Sequence, residues 1–265
     1  MRSTLTTGSA SDSRLQRVGF RVVAGLVALV FAGLWAFEGY YVVTAWFPPL
    51  YDEVTPINGV AAGTFMTVML GCSILTLLRP RTAIGPARTL LIGASLLGLL
   101  MPLAFVMTDP LVTGVGILLT AAILSMVVWL HPARDGVLPS RNPDLEWPLL
   151  ALTILLAVPF LWLAARYQWQ QLTLDDKVAG RWFYGGLSMY LLATVSLAAA
   201  SSVDGTTRRV TGGSAAVLAG ILGLVSVVYP GELHSLGLVG GLLVVAWAVC
   251  VIAFVTRTNR RRESQ

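Results

Sequence analysis

The sequence predicts an all-α fold: a polytopic membrane helix bundle of eight transmembrane helices with both termini in the cytoplasm. Two observations support this class. Hydrophobic residues make up 56% of the chain and charged residues 12%, with a mean hydropathy of +0.77, whereas soluble domains average about 25% charged residues. The apolar residues also fall into eight runs, each close to the roughly 20 residues that cross a hydrocarbon core. The composition therefore excludes an ordinary soluble domain.

The eight apolar runs are residues 20–42, 58–78, 88–107, 110–131, 147–166, 181–200, 212–229 and 235–256. A membrane offers no water to backbone N–H and C=O groups, so a spanning segment is either a helix or part of a closed barrel. The runs are longer and more uniformly apolar than barrel strands of about 10 residues, which favours helices. Proline at 108–110, and proline with glycine at 229–235, predict tight reversals between neighbouring helices.

The orientation follows from the basic residues. Fifteen of the 18 Lys and Arg residues lie in the N-terminal tail, the second, fourth and sixth connectors and the C-terminal tail. These are alternate segments, so they share one side of the membrane. The opposite side has Arg166, Lys177 and Arg181. Because Lys and Arg accumulate in cytoplasmic loops, we predict a plasma-membrane protein with both termini in the cytoplasm. The preference for Arg over Lys is typical of a GC-rich prokaryotic genome.

A tandem repeat divides the chain. We predict a disordered cytoplasmic tail over 1–19, a four-helix repeat over 20–131, a cytoplasmic linker over 132–146, a second four-helix repeat over 147–256 and a basic cytoplasmic tail over 257–265. A shift of 123 residues aligns polar and small residues at equivalent ends of the spans: Asp52 with Asp175, Glu53 with Asp176, Gly63 with Gly186, Ser73 with Ser196, Asp109 with Glu232 and Arg134 with Arg257. Repeats of four helices run in the same direction, which predicts a pseudo-twofold axis along the membrane normal.

This arrangement places an acidic cluster on the external side. The candidate vestibule or pathway residues are Glu38, Asp52, Glu53, Asp109, Asp175, Asp176, Glu232 and His234. A ring of carboxylates can attract cations to a vestibule. The alternative is that the external loops are polar and poor in Arg only because orientation requires it. Two interpretations also remain open for Glu38, which either lines a pathway or reaches the interface, where it could pair with Arg166.

Several chemistries are excluded. The only lysine, Lys177, lies in an external loop and not within a span, so it is not a retinal Schiff base. His131 lies at the cytoplasmic end of the fourth span and His234 in the external turn before the eighth, so they are about 30 Å apart across the membrane and do not share a haem. Cys72 and Cys250 have no CxxC neighbour and predict neither a metal site nor a disulfide. The sequence therefore predicts no cofactor, no metal and no catalytic residue, and its short basic tails do not indicate nucleic-acid binding.

Small residues form two GxxxG spacings, Gly59 to Gly63 and Gly237 to Gly241. Such spacings let helix backbones approach closely, so we interpret them as packing sites. A polar substrate groove that reaches Ser73 and Ser196 is the alternative. Trp and Tyr residues near the span ends, including Tyr167 and Tyr184, are typical of the aromatic belt at a membrane interface.

The segment WLHPARDGVLPSRN (129–142), followed by a proline-containing span and later by DDKVAGRW, resembles a group of uncharacterised prokaryotic multi-pass membrane proteins. The resemblance covers the C-terminal half and implies no activity. In that group histidines occupy the external segment where this chain has Lys177 and Arg181.

These patterns favour a transporter or permease-like protein for a small solute that enters through the external acidic vestibule. The alternative is a non-catalytic membrane subunit that assembles with another membrane protein, or with itself, through small-residue helix faces; an intramembrane enzyme is the third possibility. Apart from such a protein, the predicted partner is the lipid bilayer. A transporter should have a polar pathway between its repeats, whereas an assembly subunit should be solidly packed.

Overall fold

The structure is a computed structural model that describes residues 9–44, 46–47, 56–103, 110–138, 143–174 and 183–263. These residues form α-helices and connectors, with no strand among them. The helices are α1 (Ser9–Thr44), α2 (Pro56–Leu78), α3 (Ile84–Leu103), α4 (Pro110–Leu130), α5 (Arg134–Val137), α6 (Trp147–Thr173), α7 (Phe183–Val203), α8 (Arg208–Val228) and α9 (Gly237–Glu263). The prediction of an all-α fold is confirmed for this part of the chain.

Seven helices in the described part of the chain are long and apolar enough to cross a membrane: α1, α2, α4, α6, α7, α8 and α9. The predicted third span corresponds to α3, which includes the apolar stretch Ile84–Leu100; residues 104–107 of that predicted span lie outside the described residues. The helices indicate a multi-pass membrane protein. The number of eight spans and the orientation stay predictions.

Four helices form the centre of the bundle and four surround it. α2 and α3 pack against α7 and α8, whereas α1 packs on α2 and α4, and α9 packs on α6 and α8. The apolar windows of α2, α7 and α8 are 56%, 61% and 61% buried, compared with 22%, 11%, 28% and 33% for α1, α4, α6 and α9. The outer helices therefore present most of their apolar surface outward, where a membrane protein meets lipid.

The centre is filled with large apolar side chains. Phe65, Met69, Leu197 and Leu222 are at most 1% exposed and belong to one contiguous apolar cluster that draws on all eight long helices. Many buried hydroxyls between them, such as that of Thr194, donate hydrogen bonds to carbonyl groups of their own helix. These hydroxyl groups are thus satisfied locally inside an apolar core.

Helix boundaries differ from the predicted spans because polar residues extend several helices beyond their apolar runs. α6 continues to Thr173 instead of 166, since residues 167–173 contain no glycine or proline and include four good helix formers, three Gln and one Leu. α3 begins at Ile84 instead of 88 for a different reason: Pro86 lies in its first turn, where proline removes no helical hydrogen bond. α1 begins at Ser9, so its backbone is helical within the predicted N-terminal tail. These extensions place several polar side chains on helices where a connector was expected.

The packing prediction for the second GxxxG segment is confirmed at one of its two glycines. A Cβ atom on Gly241 would lie 2.7 Å from the carbonyl oxygen of Gly223, and a Cβ on Gly223 would lie 2.7 Å from that of Gly241. The backbones of α8 and α9 touch at this point. Gly237 instead has φ +70°, and a Cβ atom added to it would meet nothing within 4 Å. There the prediction is wrong, because this glycine serves the turn that starts α9.

Candidate functional site

The structure describes only part of the predicted acidic vestibule. Asp52, Glu53, Asp109, Asp175 and Asp176 lie outside the described residues. The backbone of Glu38 belongs to α1, but its side chain is also outside them.

Glu232 and His234 both lie in the connector between α8 and α9, but their side chains differ in exposure. Glu232 is exposed, whereas His234 is 7% exposed. Of the described candidates, His234 is therefore the one held inside the protein.

His234 is fixed by a hydrogen bond and by its backbone. Its Nδ1 atom lies 2.8 Å from the side-chain nitrogen Nδ2 of Asn58 in the first turn of α2. The amide group donates, so Nδ1 accepts and the imidazole proton is assigned to Nε2. His234 also has φ 69°, a left-handed conformation that is unfavourable for most L residues. Strained residues of this kind concentrate at functional sites.

Two tyrosines enclose the imidazole. The ring centroids of Tyr167 in α6 and Tyr184 in α7 each lie 5.0 Å from that of His234, with interplanar angles of 79° and 75°. The tyrosine rings stack on each other at 6.4 Å. Gln171 accepts a hydrogen bond of 3.0 Å from the backbone N–H of Gly185, which ties α6 to α7 beside them. Asn58, Tyr167, Tyr184 and His234 form what we call the histidine cluster.

Replacing His234 by alanine is expected to lower the free energy of unfolding by about 2 kcal/mol, because the variant loses a hydrogen bond and two aromatic contacts. His234→Asn should lose less, since asparagine tolerates left-handed φ better than alanine. Thermal unfolding in detergent measures both. Glu232→Ala, an exposed change in the same connector, should leave the transition unchanged; an equal loss in this control would contradict the assignment.

A second polar cluster lies at the other end of α8. Arg88, in the second turn of α3, donates to the carbonyl oxygens of Gly136, Val137 and Leu138 at the end of α5. It also donates to the carboxylate of Asp204 and, at 3.1 Å, to Thr207 Oγ1. Both charged side chains are less than 10% exposed. The planar guanidinium group thereby joins α3, α5 and the connector between α7 and α8.

Asp204 is itself positioned by its own connector. Its Oδ1 atom accepts hydrogen bonds of 2.8 Å from both the backbone N–H and the hydroxyl of Thr206. The carboxylate is thus turned toward Arg88 by a local turn. Arg88, Asp204 and Thr207 form what we call the arginine cluster.

Arg208, the first residue of α8, is fully buried beside this cluster. Its Nε atom donates to Ser201 O at 3.0 Å, and its Nη2 atom donates to Asp144 O at 2.7 Å. Nη1 lies 3.4 Å from Glu146 Oε1. The backbone N–H groups of Asp144 and Glu146 donate to Val203 O and Ser202 O. Three carbonyl groups in the last turn of α7, those of Ser201, Ser202 and Val203, thereby accept hydrogen bonds from outside the helix.

Sequence reasoning missed most of these residues. From the sequence, Arg88 and Arg208 are predicted to be orientation charges in connectors. Tyr167 and Tyr184 are predicted to belong to the aromatic belt at the membrane interface. Asn58 carried no signal, because a single amide at a helix start is common. Asp204 is the only acidic residue in its connector, which follows the predicted span 181–200, but the sequence does not indicate that its partner is Arg88.

His131 belongs to neither cluster. It follows α4, is 1% exposed and packs edge-on against Phe20 with ring centroids 5.0 Å apart. Its Nδ1 atom accepts a hydrogen bond of 3.1 Å from the backbone N–H of Ala133. Burial lowers the pKa of this imidazole below its ordinary value, so His131 stays neutral and structural at neutral pH.

Within the part of the chain that the structure describes, no group of three His, Cys, Asp or Glu side chains is placed to hold a metal ion. Cys72 is buried and Cys250 is exposed, each as a free thiol. No family model, curated protein or solved structure matches this chain.

Proposed function

We propose that this protein is a permease-like membrane protein for a small solute, in which two parallel four-helix repeats rock against each other. In this proposal all eight long helices cross the membrane and both termini lie in the cytoplasm. The arginine cluster then lies at the cytoplasmic end and the histidine cluster at the external end. The proposal assigns no catalytic residue and no cofactor.

One observation carries the proposal: side-chain hydrogen bonds join the two halves at opposite ends. Asn58 in the first half bonds to His234 in the second, and Arg88 in the first half bonds to Asp204 and Thr207 in the second. The clusters flank the two ends of α8, whose 21 residues span about 30 Å at 1.5 Å per residue. That length equals the thickness of a hydrocarbon core. Breaking the hydrogen bonds of one cluster while keeping those of the other would separate the two halves on one side of the membrane only.

The packing of the helices supports the repeat. In the first half, α1 packs on α2, α2 on α3, α3 on α4 and α4 on α1; in the second half, α6 packs on α7, α7 on α8, α8 on α9 and α9 on α6. Between the halves, α2 packs on α8 as α3 packs on α7. A twofold exchange of the halves maps each of these pairs onto another. Parallel repeats of this kind allow alternating access by movement of one half against the other.

Cys72 provides a reporter for such movement. It lies in α2, is 6% exposed and faces Thr89 of α3 and Ser214 of α8. It therefore sits where the halves meet, near the arginine cluster. Cys250→Ser removes the exposed thiol without touching this position.

The test measures how fast a membrane-impermeant thiol reagent modifies Cys72 in Cys250→Ser protein, in vesicles with either face outward. Asp204→Asn should raise modification from the cytoplasmic face about tenfold, which corresponds to a link that biases the equilibrium by about 1.4 kcal/mol. Asn58→Leu, at the opposite end, should slow modification from that face because it favours the outward-open state.

The matched controls are Asp135→Asn and Glu232→Gln. The side chain of Asp135 is 99% exposed, and its Oδ1 atom lies 4.0 Å from Arg134 Nε. Glu232 is also exposed. Neither change should therefore alter the rate at which Cys72 is modified. Equal modification of Cys72 from both faces in Asp204→Asn would mean general unfolding, and no change in any variant would mean a static bundle. Either result overturns the permease proposal.

A non-catalytic assembly subunit is the second candidate. The packing favours it by the criterion that a transporter has a polar pathway and an assembly subunit is solidly packed: the described centre between the halves is filled with apolar side chains, and hydroxyl groups such as those of Ser73 and Thr194 donate within their own helices. The permease proposal therefore requires that its pathway opens only when one of the two links between the halves breaks.

α4 is the least buried of the seven candidate spans. Its small residues Gly114, Ala121 and Ser125 are exposed. Small residues allow close approach of a second helix in the membrane. A static result in the Cys72 experiment favours this candidate.

A further inference from the structure

A basic cavity of about 340 Å³ opens where the N-terminal part of α1 meets the connector between α2 and α3. Four arginines line it: Arg17 and Arg21 of α1, and Arg79 and Arg81 of the connector. The buried ring of Phe20 forms part of the wall. The cavity is separate from both clusters described above.

The charge of the lining points to an anion. None of the described residues that line the cavity is Asp or Glu. The guanidinium groups of Arg21, Arg79 and Arg81 repel one another in this cavity, and a bound anion would offset this repulsion. Arginine presents a planar fork of N–H donors that matches the oxygens of a phosphate group. The cavity therefore has the chemistry of a phosphate site.

The position of the cavity favours a lipid as the source of that phosphate. Arg17 and Arg21 belong to the first turns of the candidate span Gln16–Thr44, and Arg79 directly follows the candidate span Pro56–Leu78. The four charges thus lie where two apolar helices end, at the level of lipid headgroups. Basic pockets between transmembrane helices bind anionic headgroups at this depth.

An exposed apolar face of α1 lies beside the cavity and could contact the acyl chains of such a lipid. Val18, Val22, Leu26 and Leu29 are 55%, 57%, 58% and 69% exposed. Their spacing places them on one face of α1, beside the face that carries Arg17 and Arg21. The resulting apolar strip leads from the cavity toward the middle of the span. A free phosphate ion would use the cavity but not the strip.

We infer that the basic cavity binds the phosphate group of an anionic phospholipid, whose acyl chains lie along the exposed strip of α1. The site holds the headgroup through Arg17, Arg21, Arg79 and Arg81. This binding does not depend on the proposed transport function, because the charges and the strip are present in either candidate function.

The experiment is native mass spectrometry of the purified full-length protein with phosphatidylglycerol, phosphatidylcholine or inorganic phosphate. The test variant is Arg79→Gln with Arg81→Gln. The control variant, Arg134→Gln with Arg209→Gln, removes the same charge from exposed residues outside the cavity. Phosphatidylglycerol should bind the unaltered protein and the control with similar affinity. The test variant should bind it about 25-fold more weakly, since each surface Arg contributes about 1 kcal/mol.

Arg81→Gln alone and a salt titration of the unaltered protein keep the test decisive if the double variant folds poorly. Binding should weaken when ionic strength rises to 1 M, where charges are screened beyond about 3 Å. Three results would each overturn the inference: equal loss in the control variant, equal binding of phosphatidylcholine, or a salt-independent affinity. Inorganic phosphate that binds as tightly as phosphatidylglycerol would assign the site to the free ion instead of the lipid.

Discussion

Replacing Arg208 by alanine is expected to lower the free energy of unfolding by about 3 kcal/mol. Removing one member of a buried ion pair typically costs about 3–5 kcal/mol. The lower end applies here because the carboxylates left behind are accessible to water: the side chains of Asp144 and Glu146 are 50% and 32% exposed. The variant also leaves the carbonyl groups of Ser201 and Asp144 without their guanidinium donor. The measurement is reversible unfolding in mixed detergent micelles.

Arg209 supplies the control, since it is the next residue, carries the same charge and is exposed. Arg209→Ala should change the unfolding free energy by less than about 0.5 kcal/mol. Arg208→Lys tests the geometry separately. It keeps the charge but cannot reproduce the planar fork, so it should recover only part of the loss. If both alanine variants unfolded alike, net charge and not the buried network would explain the effect.

Replacing Gly223 by alanine is the second large expected effect, a loss of about 3 kcal/mol in unfolding free energy. The new methyl group would lie 2.7 Å from the carbonyl oxygen of Gly241 and 3.0 Å from the backbone nitrogen of Val245. Overpacking typically costs about 1–3 kcal/mol, and the upper end applies because backbone atoms cannot rotate away. α8 and α9 must therefore separate. Unfolding in detergent and the yield of folded protein both report this change.

Gly220→Ala is the matched control on the same helix. Its methyl group would meet the Cβ of Ala248 at 3.4 Å, an ordinary contact. Alanine has the better helix propensity in both variants, so Gly220→Ala should be neutral or stabilising. A Gly223→Ala protein as stable as this control would show that α8 and α9 do not cross as closely as the structure has them.

The helices themselves follow from the sequence. Apolar runs near 20 residues must be helical in lipid because their backbone groups find no other partner, so the existence and order of the long helices could be predicted. The ends could not. Hydropathy registers where apolar residues stop, whereas α6 continues through Gln168, Gln170 and Gln171 to Thr173 because polar residues also form helix.

The candidate site shows the same division. The sequence singled out His234 and placed it in the connector before the last helix, yet it offered no reason to bring Asn58, Tyr167 and Tyr184 to it. These residues come from three different helices. Whether they come into contact depends on which helices are neighbours. A helix that is apolar on every face carries little sequence information about which helices it packs against.

Charge distribution by itself predicts which connectors share a side, because Lys and Arg favour the cytoplasm wherever they lie in a loop. Only the tertiary structure decided that Arg17, Arg21, Arg79 and Arg81 surround an open cavity while Arg88 and Arg208 are buried. The physical reason is that a buried guanidinium group requires acceptors from several segments at once. Those acceptors, the carboxylate of Asp204 and the carbonyl groups at helix ends, come together only when the helices have packed.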